Sequence, residues 1–148
     1  MPALFQHSGI RFYYPENWTL IDDELDGWPR SVTVESQETS FWTLHVYPPG
    51  EDTGPLLDKV IESIREVYPD MDEVLEAKET FGQTETKGVD ICFFFLDLLV
   101  EAHIRALQTP LFTLIWHCQA ESREFEKMEP VFCAIATSLL QSQIVAEK

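Results

Sequence analysis

The period of the apolar residues changes in the middle of this chain, and that change limits the folds open to it. From Pro55 to Tyr68, the residues Leu57, Val60, Ile61, Ile64, Val67 and Tyr68 recur at three- and four-residue spacings. Asp58, Lys59, Glu62, Ser63, Arg65 and Glu66 fill the opposite side. This is the pattern of a helix with one buried face, with Pro55 suited to its first turn and Pro69 to its end. On either side of it the chain reads as strands. Arg11 to Tyr14 ends at Pro15, and Trp18 to Ile21 stops at the acidic run Asp22, Asp23, Glu24 and Asp26. Val32 and Val34 alternate with Thr33 and Glu35, the period of two that marks a half-buried strand. Phe41 to Tyr47 is rich in aromatic and β-branched residues and stops at Pro48-Pro49-Gly50.

After the helix come Val74 to Phe81, Val89 to Leu96, Glu101 to Leu107 and Phe112 to Cys118. A chain reversal is needed near Asp97 to Val100, where none of the usual Gly, Asn or Pro occurs. Phe125, Met128, Phe132, Ile135 and Leu139 restore the helical stripe, with Pro130 starting or kinking that helix. The order predicts an α+β domain, a central antiparallel sheet covered by helices, over residues 1–140. Residues 141–148 are expected to form a disordered tail.

Composition narrows the function. Ten basic against 26 acidic residues give a formal charge of −16 on 148 residues. Nucleic acid and anionic membranes both attract basic surfaces, so neither is an expected partner. No segment is apolar for the roughly 18 residues that a spanning helix needs. No basic stretch followed by an apolar run marks a secretory signal near the N-terminus. Cys92, Cys118 and Cys133 are odd in number and widely spaced, without a CxxC pair. They read as small buried hydrophobes in a reducing compartment, and the cytoplasm is the expected location.

The phrase Ile10-Arg11-Phe12-Tyr13-Tyr14-Pro15-Glu16-Asn17-Trp18 resembles the opening of the PsbP-like and DcrB-like families, an apolar strand followed by a Tyr-Pro-x-x-Trp turn. The ending, a Phe and then an apolar helix closing on Thr137-Ser138-Leu139, is similar as well. The resemblance implies an α/β/α sandwich with a central antiparallel sheet. It also implies an accessory or chaperone-like binding role, since relatives include a photosystem subunit, a Ran-binding import factor and chaperones of secretion effectors. It carries no catalytic motif onto these positions. The acidity departs from the exported members.

Candidate chemistry is sparse. No HExxH, GxxxxGK[ST] or GxSxG motif is present, and no cofactor is expected. If the last hairpin turns about Thr109, then Glu101, His103, Arg105, Thr113 and His117 share one sheet face. His45, on an earlier strand with Phe41, Thr43 and Tyr47, joins them if its face turns the same way. Imidazole and carboxylate groups are zinc ligands, so His45, Glu101, His103 and His117 form a candidate ligand or metal site. The same four on an open sheet face would be no more than a solvated polar surface. Asp70, Asp72 and Glu73 lack the ligand number of a calcium loop and read as a solvated turn. Asp22 and Asp23 beside Trp28 form a candidate partner site, with acidic groups to receive a basic protein and an aromatic anchor. Phe93-Phe94-Phe95 projects to both faces of its strand and needs cover on both. Positions that the helices do not reach would form a binding groove or a dimer surface.

Overall fold

The computed structural model describes residues 2–24, 27–71 and 73–146, without the side chains of residues 22–24, 73 and 144–146. Its strands are β1 (Pro2–His7), β2 (Ile10–Pro15), β3 (Thr19–Glu24), β4 (Arg30–Glu35) and β5 (Phe41–Tyr47). After helix α1 (Thr53–Val67) come β6 (Glu73–Phe81), β7 (Thr84–Phe95), β8 (Leu98–Gln108) and β9 (Thr113–Glu121), and α2 (Ser122–Ala146) closes the chain. Strands β3 to β9 form one sheet in the order β3-β4-β5-β9-β8-β7-β6, while β1 and β2 pair only with each other. Every pairing is antiparallel. The expected α+β class and sandwich are therefore present, with β1 as an addition. Only Phe5 of β1 is well buried, so its six residues carry almost no alternation to read.

Each face of the sheet has its own core. On one face Val32, Val34, Trp42, Leu44, Val46, Leu114 and Trp116 pack against Phe125, Phe132, Ile135 and Leu139 of α2 and Phe5, Ile10 and Phe12 of the β1–β2 hairpin. On the other, Leu56, Val60 and Ile64 of α1 cover Val89, Ile91, Phe93, Ala102, Ile104 and Ile115. These α1 residues are four apart, one turn of helix each, as the sequence period requires. Asp52 caps the helix by accepting a hydrogen bond from the Gly54 amide at 3.0 Å.

Helix α2 contains Pro130 without ending there, and it starts earlier and runs further than the apolar stripe suggests. Residues 141–146 are helical rather than a tail. Gln143 is buried and donates to the Gly9 carbonyl at 3.3 Å, which docks this turn on the β1–β2 hairpin.

The β8–β9 hairpin departs from expectation in a way that matters for the site. Gln108 pairs with Thr113, so the loop holds four residues, closed by the Thr109 amide donating to the Phe112 carbonyl at 2.7 Å. A turn centred on one residue needs an odd loop. The even loop shifts the pairing by an odd number of residues, with Glu101 opposite Ala120 instead of His117, and an odd shift moves every side chain of a strand to the opposite face. His103 pairs with Cys118, and His117 with Ile104.

Candidate functional site

The register splits the expected cluster across the sheet. Glu101, His103 and Arg105 lie on the α2 face, with Trp116 and Cys118. His117 lies on the α1 face, with Ala102 and Ile104. His45 is on the α1 face too, since Thr43 pairs with His117 and His45 with Ile115. The shared face expected for Glu101, His103, Arg105, Thr113 and His117 is therefore replaced by two separate sets. Among the described residues no three His, Cys, Asp or Glu side chains converge as metal ligands would.

On the α2 face Arg105 is the centre. It is only 4% exposed. Its Nε donates to Glu79 Oε1 at 2.9 Å, and Nη1 donates to the carbonyls of Val89 and Ile104, both at 3.1 Å. With both Nη1 hydrogens engaged, Asp90 Oδ1 at 2.7 Å is held as an ion pair off the N–H axes. His103 Nδ1 lies 3.7 Å from the same oxygen, and its ring packs on Phe125 at 4.4 Å between centroids. Burial pushes the imidazole below its ordinary value, and the Asp90 carboxylate opposes that. Glu101 accepts from Ser122 Oγ at 3.4 Å, at the start of α2. The space between Glu79, His103, Arg105 and Phe125 is about 20 Å³, room for one water and not for a substrate. Cys118 lines the same space, and burial pushes its thiol well above the ordinary range, so it is no nucleophile.

On the α1 face His117 Nε2 meets Gln119 Oε1 at 3.0 Å and Phe41 packs edge-on at 5.1 Å. Burial, reinforced by His45, pushes its imidazole down to about 4. His45 Nδ1 is 3.2 Å from Ser31 Oγ. Burial thus holds the His117 ring neutral beside Gln119.

Trp28 is 49% exposed, and the Arg30 guanidinium stacks over its ring at 4.2 Å. The Phe112 ring centroid lies 6.4 Å from that of Trp28. The side chains of Asp22 and Asp23, its expected companions, lie outside the described residues, as does Asp26.

Exposed apolar side chains gather at the tip of β7–β8. Phe95 pairs with Leu98, leaving Leu96 and Asp97 as a two-residue turn with φ of 51° and 66°. Turns of this type favour Asn-Gly; aspartate enters the left-handed region comparatively readily, whereas the Leu96 side chain clashes there with its own backbone at about 1–2 kcal/mol. Phe93 is buried and stacks on Tyr68 at 4.3 Å, and Phe95 meets the same ring edge-on at 5.2 Å. Phe94, on the α2 face, is 65% exposed and Leu96 79%. Leu98 and Leu99 of the same hairpin are exposed as well. The helices leave these positions uncovered, the one outcome for which the Phe93-Phe94-Phe95 run gave a sequence signal. Arg105 with Glu79 and Asp90 gave none, because its partners come from two other strands.

No family model matches this chain, and no curated protein does. Solved structures do. The solution structure of cyanobacterial PsbP from Synechocystis is similar over 93% of this chain and 90% of that one, with a TM-score of 0.63 at 11% identity. A crystal structure from Bacteroides thetaiotaomicron is similar over 88% of this chain but 46% of that one, with a TM-score of 0.57 at 13% identity. The chain thus has a PsbP-like fold, as its opening and closing phrases implied. At such identities the likeness extends to the fold and not to what the protein does.

Proposed function

We propose that this chain is a non-catalytic, chaperone-like binding domain that docks a protein partner through the β7–β8 tip. The observation that carries this reading is the coincidence of two costs at one place. Phe94, Leu96, Leu98 and Leu99 are left in water, and Leu96 and Asp97 hold a backbone that other residues would form more easily. A fold that needed only a hairpin turn there would favour neither.

The partner's chemistry follows from charge. Asp97 sits in the tip, Glu66 and Asp70 are exposed near the end of α1, and the chain as a whole carries −16. An apolar cleft rimmed by basic residues on a protein fits, whereas an anionic membrane or a nucleic acid is repelled. Trp28 with Asp22 and Asp23 would extend the same acidic, aromatic mode to a second patch. The cluster around Arg105 leaves a substrate no room, since the space beside it admits a single water. The cytoplasm is the proposed location, because an odd number of widely spaced cysteines without a CxxC pair suits a reducing compartment.

The test is photo-crosslinking from a reactive side chain placed at position 96 in native extract. The expected adduct joins a protein of basic surface, weakens with salt, and is competed by the unmodified chain but not by a Phe94→Ser, Leu96→Asn variant of equal stability. Equal competition by that variant would refute the docking site. So would adducts formed only between copies of this chain.

A further inference from the structure

We propose that the chain forms a two-fold dimer by pairing β6 with β6 of a second copy, antiparallel and centred on Ala77. The two edges of the sheet differ in a way that selects β6. Strand β3 has six residues, its register shifts between Ile21 and Glu24, and Asp22, Asp23 and Glu24 are consecutive acids. Bulges and charge runs of this kind blunt an edge against pairing. Strand β6 has nine residues, pairs with β7 in unbroken register from Glu73 to Phe81, and contains no proline. Its outer N–H and C=O groups form a regular unpaired ladder.

The charges on this edge then choose the occupant. Lys78 lies directly opposite Lys87 on the α1 face, a like-charge pair in a chain with only ten basic residues. Such a pair is destabilising when nothing lies between or beside it. Among the described residues neither ammonium has a carboxylate within 4.0 Å. Asp52, Asp58 and Glu85 line the surrounding surface without closing on either. Glu76, two residues before Lys78 and on the same face, stands opposite apolar Val89.

When β6 pairs with its own copy about Ala77, Glu76 falls opposite Lys78 of the second copy, and the two-fold axis repeats the contact. Each lysine pair then gains a carboxylate on its open side. Centring on Glu76 or on Lys78 instead brings like charges together, and centring on Leu75 sets Glu76 opposite Val74. The Ala77 register also sets exposed Val74 opposite Thr80, and exposed Leu75 opposite the stem of Glu79. Both α1 helices stay on the same side of a continuous sheet. Because the surface is self-complementary under a two-fold axis, the assembly closes at two copies. The tips proposed to dock a partner point away from the axis, so each dimer would present two.

Sedimentation equilibrium across the micromolar range tests this, in about 0.15 M salt, where repulsion between acidic copies is screened beyond about 8 Å. The wild-type chain is expected to dimerise. Glu76→Lys alone and Lys78→Glu alone should each weaken the dimer about tenfold or more, since both symmetric contacts turn repulsive. Mixing those two single variants restores both opposite-charge contacts and should recover wild-type affinity, as should the double swap. Phe94→Ser with Leu96→Asn should leave the dimer intact, which separates this outcome from that of the docking site. A monomeric wild type, single variants that dimerise normally, or a mixture that stays weak would each overturn the proposal.

Discussion

Acidification should destabilise this protein through His117, and the size of the effect follows from its surroundings. The imidazole is buried on the α1 face, its value is pushed down to about 4 by that burial and by His45, and the Gln119 contact only partly opposes this. In the unfolded chain the ring returns to about 6.5. Below that value the unfolded chain takes up a proton that the folded one refuses. The stabilisation is therefore complete above about pH 6.5 and is lost as the pH falls towards 4. Between about pH 7.5 and pH 5 the loss amounts to about 2 kcal/mol. His117→Gln keeps a polar side chain beside Gln119 and removes the titration. Urea unfolding followed by tryptophan fluorescence at the two pH values measures the effect in each protein. His103 and the many carboxylates titrate in both, so they cancel in the comparison. The pH dependence of the variant should be shallower by about 2 kcal/mol. Parallel pH dependences in the two proteins would show that the ring is not held neutral by its burial.

Two further substitutions test the packing of the other face. A Cβ at Gly88 would run into the Ile104 carbonyl across the β7–β8 ladder, so Gly88→Ala should cost about 3 kcal/mol in urea unfolding. A loss below about 0.5 kcal/mol would mean that the strands can part there without penalty. Arg105→Met removes the partner of Glu79 and Asp90, whose side chains are 34% and 37% exposed. Water can reach those carboxylates, so the loss should be about 2 kcal/mol, below the range for a fully buried pair. Arg105→Lys should recover less than half of it, because an ammonium cannot span Glu79, Asp90 and two carbonyls at once. Full recovery by lysine would reduce the guanidinium's role to simple charge.

Local periodicity determined much of this protein. A spacing of three and four residues commits 55–68 to a helix with one apolar face, and alternation commits Val32, Val34 and the Phe41–Tyr47 run to strands. Both patterns are written within a few neighbouring residues, and the order strands, helix, strands, helix follows from them. The Tyr-Pro-x-x-Trp phrase pointed to the PsbP-like fold by the same local means. The meeting of strands distant in sequence is a different matter. Whether His103 and His117 share a face depends on whether the loop after Gln108 holds an odd or an even number of residues. Thr109 fixes that through its hydrogen bonds with Phe112. An odd shift of register separated the four candidate ligands onto two faces. The pairing of β6 with β7 and of β7 with β8 brought Arg105 to Glu79 and Asp90, residues that no spacing along the chain connects. The exposure of Phe94 beside buried Phe93 was likewise decided by how far the helices reach. Sequence carries the short-range periods, whereas register and cover come from the closure of loops and the placement of whole elements, which only the assembled sheet determines.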